Sequence, residues 1–72
     1  MSTLEERKRR GEDIVRRYRR ANNNDQYTSA VDAIADILLF VAQSETEATQ
    51  LLQSAEMDFR NEAQAERFLT EG

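Results

Sequence analysis

The sequence predicts an all-α protein: a small three- or four-helix bundle, completed by homodimerisation through a central apolar helix. Three observations predict it. No stretch alternates apolar and polar residues over a strand's length, alanine, glutamate, glutamine, arginine and leucine dominate outside one asparagine cluster, and apolar residues recur at spacings of three and four.

The 72 residues include no proline and two glycines, so no composition-marked linker divides them and residues 1–72 read as a single helical domain. A chain of this size gains little net stability from its own core. Burial gives about 25 cal/mol per Å2 of apolar area while ordering costs roughly 1.5 kcal/mol per residue, and the two nearly cancel. Without cysteine there is no disulfide, and without histidine or cysteine a structural zinc site is effectively excluded. Oligomerisation is the staple that remains.

The first helix is expected over about residues 3–21. Ser2 and Thr3 precede Glu5 and Glu6 at capping-box spacing, and the cluster "NNND" from Asn22 to Asp25 breaks the helix, because these side chains compete for backbone hydrogen bonds. At 100° per residue, Leu4, Gly11, Ile14, Val15, Tyr18 and Ala21 form one stripe about 120° wide, the side that docks. Gly11 costs about 1 kcal/mol in a helix interior and suggests either a close backbone approach or independent movement of the basic N-terminal turns.

The second helix is expected over about residues 25–43. Tyr27, Val31, Ile34, Leu38 and Val41 recur at four and three, and Ala30, Ala33, Ile37, Leu39, Phe40 and Ala42 carry the apolar surface around most of the cylinder. Thr28, Ser29, Asp32, Asp36 and Gln43 form the one narrow polar strip, expected to be the wet side. A helix apolar on nearly every side must be covered on nearly every side, and two short neighbours cannot cover it. A second copy or another partner is therefore expected against Ile34, Ile37, Leu38, Leu39, Phe40 and Val41.

A third helix, over about 45–56, begins at "SETE", where Ser44 sits three residues before Glu47. Its stripe is Ala48, Leu51, Leu52, Ala55 and Phe59. Continuing that register puts Glu62 and Glu66 on the apolar side, which argues for a kink or break near Glu56 to Asp58 and a fourth segment, or a continuation, over about 58–70 with Ala65, Phe68 and Leu69.

Charge is uneven along the chain: residues 1–21 sum to +4 and residues 22–72 to −8. "ERKRRGEDIVRRYRR", Glu6 to Arg20, holds eight of the ten basic residues: Arg7, Lys8, Arg9, Arg10, Arg16, Arg17, Arg19 and Arg20. As a solvated helix face, it explains itself in part. Glu5, Glu6, Glu12 and Asp13 each precede an arginine by four, worth roughly 0.2–0.5 kcal/mol per pair, and Arg19 and Arg20 complement the helix dipole. As a nucleic-acid contact, "RRYRR" sets an aromatic ring between arginine pairs that can grip phosphates.

Enzymatic chemistry is not expected. The usual neutral-pH base and the thiolate nucleophile are both missing, and no phosphate-cradling glycine loop is present. Asp32 with Asp36, and Glu62 with Glu66, stand one turn apart and are the only arrangement suggestive of a magnesium site, a spacing that acidic helices produce by chance. No metal or other cofactor is expected.

At "DAIADILLFVAQ" (Asp32 to Gln43) and "SAEMDFRNE" (Ser54 to Glu62) the chain resembles short all-helical proteins of bacterial phages, plasmids and other mobile elements, over roughly residues 27–62. The resemblance implies a mobile-element setting and transfers no catalytic or binding residue. The expected function is a non-enzymatic protein-interaction module, a homodimeric accessory or regulatory protein whose further partner is a protein rather than a nucleic acid. One alternative is a nucleic-acid-binding regulator using the first helix. Another is an acidic inhibitor of a host nucleic-acid-binding or defence protein, presenting Asp32, Asp36, Glu45, Glu47, Glu56, Asp58, Glu62 and Glu66 as phosphate surrogates. With no secretory h-region and no apolar run near the roughly 20 residues a span needs, a cytoplasmic location without membrane contact is expected.

Overall fold

A computed structural model describes residues 3–23 and 25–71, with side chains described through residue 65. It is all-helical: α1 (Leu4–Asn22), α2 (Gln26–Val41) and α3 (Glu45–Glu71), with no strand among the described residues. None of these helices is long and apolar enough to cross a membrane.

Local capping sets the boundaries. Thr3 starts α1 in extended geometry, its hydroxyl accepting from the Glu6 amide at 3.1 Å; the expected contribution of Ser2 lies outside the described residues. Asn23 ends α1 in the left-handed region (φ 54°), and its amide donates to the Arg19 carbonyl at 2.7 Å. Asparagine tolerates that conformation better than most residues, because its short side chain bonds locally. Asp25 caps α2, accepting from the Thr28 amide at 2.8 Å. The hydrogen bonds from Thr28 favour the ionised carboxylate and hold Asp25 below its ordinary pKa. Ser44 caps α3 by accepting from the Glu47 amide at 3.1 Å, and α2 stops at Val41, short of the expected Gln43, which lies in the bend before that cap.

The chain divides after Phe40 into two compact units, each described by itself. In the first, α1 and α2 pair with an inverted logic. Part of the strip expected to stay wet is turned inward: Ser29 is fully buried, Asp32 is half-buried, and Asp36, itself exposed, stands beside the Tyr18 hydroxyl, while Thr28 and Gln43 stay exposed; Ala33, from the expected apolar surface, is 4 % exposed. The reason is steric and chemical. Ser29 and Ala33 are the small residues of α2 that let another backbone come close, and Tyr18 brings a hydroxyl that needs an acceptor. On α1 the docking stripe is recognisable in Leu4, Val15 and Tyr18, all half-buried, while Ile14, Gly11 and Ala21 stay exposed. A Cβ placed on Gly11 meets nothing within 4 Å, so no neighbour explains that glycine.

The second unit corrects the expected break. α3 runs unbroken from Glu45 to Glu71, through Glu56, Met57 and Asp58. No glycine or proline interrupts it, and Arg60 meets Glu56 at 3.3 Å across the very turn where the break was expected. A register that puts Glu62 on the apolar stripe is tolerated because that stripe is loosely covered: Glu62 is half-buried, whereas Phe59, Met57 and Leu52 are exposed. The side chains of Glu66, Phe68 and Leu69 lie outside the described residues.

Candidate functional site

Two surfaces stand out, one apolar and one basic. The first follows from the inversion of α2. With the small residues Ser29 and Ala33 buried, large apolar residues of α2 are left outside: Leu39 is 81 % exposed, Phe40 90 % and Tyr27 79 %. Ile34, Ile37 and Val41 are each just under half exposed, and Leu38 is half-buried. Of the six residues expected to form an interface, all therefore retain accessible surface. Tyr27 and Val31 belong with them although they were not among the six. Their signal was the spacing of Tyr27, Val31, Ile34, Leu38 and Val41, alternately four and three, which is the seam of helix-on-helix packing. No charged side chain interrupts that seam.

The size of this surface decides its meaning. Large side chains expose roughly 150–250 Å2 when fully open. Scaled by their exposure, Tyr27, Val31, Ile34, Ile37 and Val41, which share one side of α2, leave on the order of 500 Å2 of apolar-rich area uncovered, and Leu39 and Phe40, which flank Asp36 on the wheel, add on the order of 300 Å2. Monomers rarely expose more than a few hundred Å2 in one apolar patch, and specific interfaces bury about 800 Å2 per partner.

The basic surface is α1. Arg9, Arg10, Arg16, Arg17, Arg19, Arg20 and Lys8 are exposed, while Arg7 is half-buried, since its wheel position adjoins Tyr18. Of the four expected acid–arginine pairs, Glu12 and Arg16 meet, at 3.0 Å. Among the described residues Arg9, Arg10 and Arg17 make no ion pair with Glu5, Glu6 or Asp13. The physical reason is that an exposed pair gains a few tenths of a kcal/mol and loses side-chain entropy, so nothing holds it closed. Arg7, Lys8 and Arg19 each have an interacting partner.

Tyr18 is not available as a stacking ring. It is half-buried, and its hydroxyl donates to Asp36; that hydrogen bond, with some burial and the negative charges of Asp36 and Asp32, raises its pKa above 10.0 against the opposing charge of Arg17. Asp36 is thereby engaged in holding α1 to α2. Among the described residues no three acidic, histidine or cysteine side chains gather where a metal could sit.

No protein-family model, no curated protein and no solved structure matches this chain.

Proposed function

We propose that the protein is a non-enzymatic helical interaction module that self-associates as a homodimer through the exposed apolar side of α2. The observation that supports this reading best is the pair Leu39 and Phe40, which stand 81 % and 90 % exposed on α2. Water contact with two such side chains costs roughly 1.5–3 kcal/mol each relative to full burial, and a covering partner recovers it. A second copy suits the seam of Tyr27, Val31, Ile34, Leu38 and Val41 because this charge-free surface meets itself without like-charge repulsion, and Leu39 and Phe40, on either side of Asp36, extend the contact at its flanks. In the mobile-element setting that the sequence resemblance implies, such a module acts as an accessory or regulatory protein, in the cytoplasm, by binding another protein.

Sedimentation at tens of micromolar tests the reading. The parent protein is expected to sediment as a dimer and Leu39→Glu as a monomer of unchanged helicity. A parent protein that remains monomeric would end the homodimer proposal.

A further inference from the structure

The acids of α1 are confined to its first half, at Glu5, Glu6, Glu12 and Asp13; from Ile14 to Asn23 the sequence contains none, while Arg16, Arg17, Arg19 and Arg20 fall within five residues. At 1.5 Å and 100° per residue these four arginines occupy about 6 Å of helix axis and fan over about 160° of the circumference. Tyr18 stands at the centre of the opposite side, half-buried and with Asp36 beside its hydroxyl. The guanidinium groups consequently point outward as a set.

Their surroundings form a receptacle. Arg16, Arg19 and Arg20, with Asn23 in its left-handed turn, line a shallow cleft of about 260 Å3. A larger hollow over Gly11, about 630 Å3, shares Arg16 and Arg19 but brings in Glu5 and Glu12, so anion recognition is concentrated at the C-terminal end. The helix end itself opposes an anion with roughly half a negative charge. Four full positive charges outweigh it. Arg17 and Arg20 make no ion pair among the described residues, and Arg16 has one exposed pair with Glu12, of the kind worth under about 1 kcal/mol. Asp25, beyond the cluster, caps α2 and also attracts Arg19, so Arg17 and Arg20 are the arginines of the set least engaged within the protein.

We infer that the arginine cluster Arg16, Arg17, Arg19 and Arg20 at the C-terminal end of α1 binds the phosphodiester backbone of duplex nucleic acid, without reading its sequence. Arginine is suited to this because its planar fork meets two phosphate oxygens at once. Tyr18, the ring set among these arginines in the sequence, is turned towards Asp36, which favours a backbone contact by this cluster over stacking on unpaired bases. The site is separate from the apolar side of α2, so a failed self-association leaves it standing.

The test is fluorescence anisotropy of a labelled DNA duplex of arbitrary sequence, with the parent protein, Arg17→Gln/Arg20→Gln and Arg9→Gln/Arg10→Gln, each checked for helicity by circular dichroism. Four neutralised phosphates give a salt slope near −3.6, so affinity should fall about 10²-fold between about 50 and about 200 mM salt. The Arg17/Arg20 variant should lose roughly half that slope, and the Arg9/Arg10 variant, which alters arginines placed among the acids, should lose distinctly less. No binding by the parent at about 50 mM salt overturns the inference, as does a slope unchanged in Arg17→Gln/Arg20→Gln. Equal losses in the two variants would refute the assignment to this end of α1.

Discussion

Phe40→Glu separates the folding of the protomer from its assembly. Phe40 is 90 % exposed, so in an isolated protomer its replacement removes little, and surface substitutions of this kind stay within about 0.5 kcal/mol. In a two-fold dimer the same ring is covered twice. Full burial of phenylalanine is worth about 1.5–3 kcal/mol; scaled to the exposed fraction and counted on both copies, the loss is about 3–5 kcal/mol per dimer. At about 1.4 kcal/mol per decade the dissociation constant rises by about 10²- to 10⁴-fold, and a carboxylate forced into an apolar interface adds to that. Sedimentation equilibrium over a concentration series reads the constant directly, and circular dichroism reads the helices. Unchanged mass in the variant would refute the reasoning, because the ring would then lie outside any interface. Collapse of helicity would refute it in another way, by showing that Phe40 supports the protomer.

Three further outcomes follow from the first unit. Gly11→Ala should raise the stability of the protein by up to about 1 kcal/mol, since a Cβ there meets nothing within 4 Å and the backbone is ordinary helix; a lower melting temperature would reveal a neighbour that approaches closely in the assembled state. Ser29→Ala should also stabilise, by about 1 kcal/mol, because the fully buried hydroxyl has no hydrogen-bond partner and alanine is the better helix former; a fall in melting temperature would show that the hydroxyl is satisfied. Tyr18→Phe removes the donor to Asp36 and should lower the melting temperature at neutral pH. Because the pKa of Tyr18 is raised in the folded protein, its stabilising contribution is complete below pH 10.0 and is lost as pH climbs through the raised value. Denaturant unfolding across that range should show an alkaline decline that is shallower in Tyr18→Phe, and superimposable profiles would count against the hydrogen bond.

What was legible in the sequence was local. The Ser44–Glu47 and Thr3–Glu6 spacings gave caps that form as hydrogen bonds between side chain and backbone, and "NNND" gave the turn, because each depends on a few consecutive residues. The side of α2 that docks was not legible. Periodicity identifies an apolar stripe but not the competing demand of Tyr18 for an acceptor or the closer approach that Ser29 and Ala33 allow, and both depend on residues far apart in sequence. The expected break in α3 failed for a related reason. Register arguments assume that the stripe is tightly packed, and Phe59 at 69 % exposure shows that it is not, so helix propensity prevailed. The basic stretch was misread in detail: spacing of four makes an ion pair possible, but only Glu12 with Arg16 among the four expected pairs closes. For the candidate interface, the run of apolar residues around most of α2 nominated Leu39 and Phe40, and both are exposed.

The measurement that bears most directly on the proposed self-association is sedimentation equilibrium of the parent protein from about 1 to about 100 µM, since mass action makes assembly visible as a mass that depends on concentration. A weight-average mass that rises from 8.3 kDa towards twice that value is the result expected of a dimer closed over the apolar side of α2. A mass that stays at 8.3 kDa throughout would contradict it.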